Sequence, residues 1–237
     1  MIPTIDVLKV LRGEGYLPVT ARQAPAASRW SEGHQRHMIR LRQGGLEQYT
    51  GTKKEGGLIP ELILVNSSDA TTSFDLSLGM WRKICSNGMV VWRREDNLMT
   101  IHKNIEAEDI INRARELTNR HKPVFDQIKL WAETAVSERM AKAFAEKVMA
   151  LRFGDKAHQY SPEDFLAPRR VEDEALTLWN IFNRAQENAM KGGVTGATET
   201  GRRVRSRALT TIDADLGFNA ALWALAEETA KRISSTS

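Results

Sequence analysis

The spacing of hydrophobic and polar positions changes character along the chain. Ile5, Leu8 and Leu11 recur at helical spacing behind Thr4, and Gly13 and Gly15 follow. This predicts a short helix over 4–12 with Thr4 as its N-cap. The period then falls to two. Ile39 and Leu41 alternate with Met38, Arg40 and Arg42, which predicts a strand with basic side chains on one face. Pro60 opens a buried strand over 61–67 with Leu62, Ile63, Leu64 and Val65, and Phe74, Leu76 and Leu78 place another at 71–78. Residues 43–57 are glycine-rich without an apolar period and predict an exposed loop or hairpin tip. Residues 79–88 predict a short helix or turn ending at Asn87-Gly88, and 89–92 with 97–102 an antiparallel pair.

Past residue 105 the pattern is helical. Ile110, Ala114, Leu117, His121, Val124, Ile128 and Trp131 form a heptad seam that must kink or break at Pro123. Ser137 starts a second helix, with Met140, Phe144, Val148 and Leu151 on one side and Gly154 closing it. A long helix is predicted over 171–191, with Ala175, Leu178, Phe182, Ala185 and Ala189 as its apolar stripe. Gly192-Gly193 ends it, and a last helix runs over 214–233. The fold class is therefore α+β. An N-terminal small antiparallel sheet with short helices is followed by a mainly helical C-terminal part with a helical hairpin. The expected organisation is a basic module at 1–104 and a helical part at 105–237, packed as one compact unit.

Composition narrows the class without naming a reaction. With 237 residues and 41% hydrophobic side chains, the chain can bury a core, which argues against disorder. Its longest apolar runs, 62–65 and 89–92, are far shorter than the roughly 20 residues of a membrane span, and residues 1–20 carry no secretory signal. Cys85 is the one cysteine, so neither an internal disulfide nor a multi-cysteine zinc site is possible, which suits a cytoplasmic protein.

The net charge of +4 acquires meaning when it is divided along the chain. Residues 1–104 carry 14 basic and 10 acidic side chains, 105–200 carry 14 and 16, and 201–237 carry 6 and 4. Between positions 20 and 54, Arg22, Arg29, Arg36, Arg40, Arg42, Lys53 and Lys54 face only Glu32 and Glu47. Arg202, Arg203, Arg205 and Arg207 have no acid between 200 and 212. Arginine clamps phosphate with a planar fork that also stacks on bases. Trp30 lies among these arginines, the pairing of base-stacking aromatic and basic groove that holds single-stranded nucleic acid. The other tryptophans, Trp81, Trp92, Trp131, Trp179 and Trp223, are expected in the core.

Arg169-Arg170 precedes the acidic stretch Glu172-Asp-Glu174. It reads either as a phosphate contact at a helix N-terminus or as a clamp on Asp173. Those acids in a first helical turn would favour the macrodipole rather than hold Mg²⁺. Asn180, Asn183, Gln186 and Asn188 crowd one helix, either as a buried network or as readers of bases or backbone. Cys85 with His34, His37, His102 and Asn87 offers a nucleophile and base, but its place beside a tight turn favours packing. His34 and His37 fall on opposite faces of an extended segment, which disfavours zinc. No P-loop, dinucleotide fingerprint or nucleophile elbow is present, so no cofactor or metal is expected.

Several stretches carry a resemblance. They are Phe165-Leu-Ala-Pro-Arg-Arg-Val-Glu-Asp173, Leu178-Trp-Asn-Ile-Phe-Asn-Arg-Ala-Gln-Glu-Asn188 with Gly192-Gly193, Gly79-Met-Trp-Arg-Lys-Ile-Cys-Ser-Asn-Gly88, Arg205-x-Arg207 and Asn219-x-x-Leu-Trp223. Together, from about Leu8 to the final helix, the chain resembles the phage/plasmid-like protein family, domain of unknown function 932. That resemblance implies a gene of a phage, plasmid or integrated element and supplies no reaction. The order of a small sheet followed by a long helix is similar to Redβ-type and Erf-type single-strand annealing proteins, an analogy of element order alone.

The leading expectation is a non-enzymatic protein that binds single-stranded DNA in recombination, annealing or replication. Arg22, Arg29, Arg36, Arg40, Arg42, Lys53, Lys54, Arg169, Arg170, Arg202, Arg203, Arg205 and Arg207 would contact phosphates, Trp30 would stack, and the helical part would support a homo-oligomer. The alternative is an interaction protein that inhibits or diverts a host defence or replication factor, using the heptad seam or the amide-rich helix as its partner surface. A second alternative is an enzyme centred on Cys85 or on the Glu172–Glu187 carboxylates.

Overall fold

The computed structural model describes residues 2–25, 35–44, 57–67, 74–83, 87–90 and 106–236. Strands β1 (Tyr16–Gln23), β2 (His37–Gln43), β3 (Leu58–Asn66), β4 (Asp75–Arg82) and β5 (Asn87–Val90) form one antiparallel sheet in sequential order. They follow α1 (Thr4–Gly13). After the sheet come α2 (Ala107–Asn119), α3 (His121–Glu133), α4 (Glu138–Phe153), α5 (Pro162–Phe165), α6 (Leu178–Lys191), a small hairpin of β6 (Thr195–Ala197) with β7 (Arg203–Arg205), and α7 (Ile212–Thr236). The class is α+β, with strands gathered in the first half and helices in the second. Among the described residues no helix is long and apolar enough to cross a membrane.

The chain divides into two compact units, one of described residues up to Val124 and one from Phe125 onward. In the first, the period-two pattern of β2 and its partners sorts side chains by face. Ile39, Leu41, Leu62, Leu64, Leu76 and Leu78 form a buried cluster with Val7 and Leu11 of α1 and with Ile110, Ala114 and Leu117 of α2. Tyr16 closes this core at the edge strand, where its hydroxyl bonds to Thr118 Oγ1. Burial raises the Tyr16 pKa, an effect the Thr118 bond partly offsets.

The second unit is built on α4, α6 and α7, which pack on one another. Trp131 of α3 lies 4.7 Å from Trp223 and 6.2 Å from Phe182 between ring centroids, and Phe182 stacks on Trp179 at 5.5 Å. All three tryptophans are buried, as expected for these positions. The heptad seam is therefore shared between two cores. It breaks at Arg120, just ahead of Pro123, and Ile110, Ala114 and Leu117 go to the first unit while Ile128 and Trp131 go to the second.

Several local expectations are corrected. Thr4 is not the N-cap of α1. Pro3 holds that position, and Thr4 Oγ1 bonds to His37 Nε2 (2.7 Å) and accepts from Asn66 Nδ2 (3.0 Å), tying α1 to the sheet. Val7 and Leu11 form the buried face of α1, while Ile5 is 59% exposed. Strand β3 begins at Leu58, so Pro60 lies inside it. Its missing N–H causes no loss there, because the β2–β3 pairing ends at Leu41–Leu62. Residues 79–82 continue β4 and Asn87-Gly88 opens β5, so these positions are strand in place of the expected helix or turn. Strand β1 is an addition to the expected elements. The predicted helix over 171–191 starts only at Leu178, where Thr177 Oγ1 accepts from Asn180 N (3.2 Å), and Val171–Asp173 is a separate 3-10 turn. Glu172–Glu174 are accordingly not the first turn of that helix. The predicted strand at 97–102, Trp92 and Cys85 lie outside the described residues.

Candidate nucleic-acid interface

The arginines of 202–207 are presented by a hairpin that the rest of the second unit holds down firmly. Its register pairs Thr195 with Arg205, Gly196 with Val204 and Ala197 with Arg203. Gly196 pairs in turn with Tyr160, and the approach is so close that a Cβ there would lie 2.1 Å from the Gln159 carbonyl oxygen. Only glycine fits. From the other side Arg152 Nη2 donates to the Arg207 carbonyl at 2.7 Å. Arg203 and Arg205, two residues apart on one strand, share a face. Arg202, Arg203, Arg205 and Arg207 are all exposed, and none of them pairs with a carboxylate among the described residues. Arg205 Nε donates to the Gly193 carbonyl at 3.1 Å, a bond that directs the guanidinium without neutralising it.

Behind the hairpin, the turn that ends α6 joins it to Arg169 and Arg170. Gly192 has φ +66, and a Cβ on it would meet the Arg207–Ala208 backbone at 2.5–2.7 Å. Arg169 Nε donates to Asn188 Oδ1 at 2.5 Å and its Nη2 to the Gly192 carbonyl. Asn188, buried, spends its own amide donors on the Phe165 and Ala167 carbonyls, which fixes its oxygen toward Arg169. Arg170 does form a carboxylate clamp, with Glu187: Nη2 lies 2.8 Å from Oε1 and Nε 3.1 Å from Oε2. Lys191 adds a third donor to Glu187 at 2.6 Å. Asp173 is buried and its carbonyl accepts from Arg184 Nε at 2.6 Å.

Burial works to raise the Glu187 pKa, but the bonds from Arg170 and Lys191 outweigh it and hold the carboxyl below its ordinary value. A carboxylate with a depressed native pKa stabilises the fold at pH values above its unfolded pKa, and that contribution disappears as pH falls through the native pKa. E187Q is expected to cost about 2 kcal/mol at neutral pH. The gap from the unaltered protein should close in acid, below the usual carboxylate range, when denaturant unfolding is measured against pH.

The amide-rich helix forms a buried network. Gln186 Nε2 donates to Asn219 Oδ1 of α7 at 2.6 Å, Asn219 donates to Asp215, and Asn180 and Asn183 donate to the Ala175 and Trp179 carbonyls. Leu178, Phe182, Ala185 and Ala189 of this helix are buried by the chain itself, as are Ile110, Ala114, Leu117, Ile128 and Trp131 of the heptad seam, while His121 and Val124 are half-buried. Glu187, the carboxylate set against Glu172 in the enzymatic alternative, is fully engaged by its clamp.

The basic positions of the first unit have different surroundings. Arg40 and Arg42 converge on buried Glu61, at 2.9 and 2.7 Å, and Arg42 lies 4.4 Å above the Trp81 ring. Arg22 and Arg36 are half-buried and partnered. Asp75 is one of the charges near Arg36, and burial raises its pKa against the pull of the Ser77 hydroxyl and of Arg113 and Arg36. Arg29, Trp30, Lys53 and Lys54 lie outside the described residues, as do His34 and His102. Sequence reasoning did not pick out Asn188 and Gly193 as the groups that aim Arg169 and Arg205. The one available signal was Gly192-Gly193, read only as a helix stop.

Comparison with known proteins places the chain in a family. The model of a domain of unknown function (DUF932) matches residues 1–223. The UPF0380 protein YfjQ of Escherichia coli (strain K12) is 34% identical over 226 residues, covering 95% of this chain and 80% of that protein. The UPF0380 protein YafZ of the same organism is 34% identical over 230 residues, with the same coverages. No solved structure matches.

Proposed function

The chain belongs to the DUF932 family, and from that premise we propose that it is a non-enzymatic protein of a phage, plasmid or integrated element that binds single-stranded DNA in recombination, annealing or replication. The observation that carries this reading is the anchored hairpin: four exposed arginines within six residues, without a described carboxylate partner. A solvated surface usually intersperses its charges. A rigid strand that presents guanidiniums of one sign has the electrostatic footprint of a polyanion site.

Phosphate contacts position the ligand and carry no sequence information, so the expected binding tolerates many sequences. The preference for single strands rests on Trp30, which stands between Arg29 and Arg36 in the chain and offers a face for base stacking. Arg40 and Arg42 support the reading less directly, since both are turned to Glu61.

The test is a salt titration of the full chain against single-stranded DNA, duplex DNA and RNA probes of equal length. Affinity for the single strand should be highest and fall linearly on a log–log plot, with a slope of roughly −0.7 per phosphate contacted. Absence of binding to any probe at low salt would remove the proposal, and equal affinity for duplex would remove its single-strand part.

A further inference from the structure

We infer that Gly193 lies in a single-phosphate site formed by Arg169 and Arg205. This deepens the nucleic-acid reading, on which it rests for its biological ligand. A Cβ placed on Gly193 would lie 3.3 Å from Arg205 Nη2 and 3.7 Å from Arg169 Nη2, so two guanidiniums from distant parts of the chain converge over this residue. Like charges brought so close repel, and the arrangement is maintained by three neutral acceptors: the Gly192 carbonyl and Asn188 Oδ1 hold Arg169, and the Gly193 carbonyl holds Arg205. No carboxylate within ion-pair distance balances either cation among the described residues.

Each guanidinium has five donors. Arg169 has committed two and Arg205 one, which leaves N–H groups on both for a common acceptor. A tetrahedral oxyanion with several acceptor oxygens suits two such forks better than a planar carboxylate, and would relieve their repulsion. The space exists. A pocket of about 290 Å³ opens beside Arg169 and Gly193, lined also by Asp164, Pro168, Asn188 and Thr195, and Arg205 reaches it over Gly193 without being part of its wall.

Gly193 itself has φ +87, a conformation that side chains rarely adopt, and lacks the atom that would crowd the guanidiniums. Asp164 on the pocket wall opposes an anion, which limits affinity and makes it adjustable.

The ligand class is a phosphate group. Its sources are an internal phosphodiester of a nucleic-acid strand, a terminal phosphate or free phosphate. The experiment is titration of the full chain with inorganic phosphate in a phosphate-free buffer, followed by calorimetry and by the Nε–H resonances of Arg169 and Arg205. Saturable binding that shifts both resonances is expected, weakened roughly tenfold or more in R205Q and strengthened severalfold in D164N. Because R169Q also removes two structural hydrogen bonds, R205Q is the decisive variant, with its melting temperature as the control.

Displacement of phosphate by an oligonucleotide only when it carries a 5′-phosphate identifies a terminal group. Equal displacement by a hydroxyl-ended strand identifies the backbone. Phosphate binding without any oligonucleotide binding keeps this site and removes the nucleic-acid proposal. Absence of saturable phosphate binding, or binding unchanged in a folded R205Q, overturns the site even if DNA is bound elsewhere.

Discussion

Replacing Arg202, Arg203, Arg205 and Arg207 together by glutamine is expected to weaken single-stranded DNA binding by on the order of a thousandfold at physiological salt, and to flatten its salt dependence by about 3 in log–log slope. The slope follows from the loss of four phosphate contacts at roughly 0.7 each, and the affinity loss from about 1 kcal/mol for each contact. The slope is the more informative of the two. A structural defect would lower affinity at every salt concentration and leave the slope intact, whereas removal of the contacts changes the slope itself.

Folding should be little affected. The four side chains are exposed, and only Arg205 makes a bond among those described, to the Gly193 carbonyl. The hairpin is held by its backbone: Gly193 N donates to Ser206 O at 2.8 Å, Ser206 N donates to Val194 O at 2.9 Å, and Gly196 lies against Gln159. Exposed substitutions of this kind cost within about 0.5 kcal/mol each. Fluorescence anisotropy at several salt concentrations, with a thermal melt as control, reads both effects. Unchanged affinity in a folded quadruple variant would show that the hairpin is not the interface.

How much of this interface was legible in the sequence depends on the range of the interaction concerned. Local signals transferred well. The alternation of Met38–Arg42 became β2 with the expected faces, Ser137 capped α4 through its hydroxyl, and Phe74, Leu76 and Leu78 entered one core. Strand β1 had no such signal. Of its eight residues Tyr16 alone is buried, Pro18 interrupts it beside a bulge, and an exposed edge strand needs no alternation. The start of α6 was misplaced because Ala175 continues the apolar stripe backward, although Thr177, three residues before Asn180, carries the true cap. The partners of the arginines were beyond reach for a different reason. Arg170 and Glu187 are 17 residues apart across a loop, and Arg169 and Arg205 are 36 apart in number yet meet at one glycine. Charge runs report how many cations there are, and only the fold decides which of them are already satisfied.

The same distinction separates the two basic clusters, and Glu61 is where it can be measured. Glu61 has no exposed side-chain surface, and receives Arg40 at 2.9 Å on one oxygen and both Nε and an Nη of Arg42, at 2.8 and 2.7 Å, on the other. Removing its charge in E61Q leaves two guanidiniums, 8% and 20% exposed, against a neutral amide. The expected loss is about 3–5 kcal/mol, because an uncompensated buried charge costs more than the intact group contributed. Replacing all three residues by apolar side chains of similar length, as in R40M/R42M/E61L, should recover most of that loss, since the desolvation of three charges then disappears with their attraction. Denaturant unfolding of the two variants measures both quantities. If the triple variant is as unstable as E61Q, the triad contributes through packing and not through its charges. The triple variant also bears on function. Its two lost cations were already neutralised in part by Glu61, so its salt slope for single-stranded DNA should match that of the unaltered protein. A slope reduced by more than about 1 would return Arg40 and Arg42 to the list of phosphate contacts.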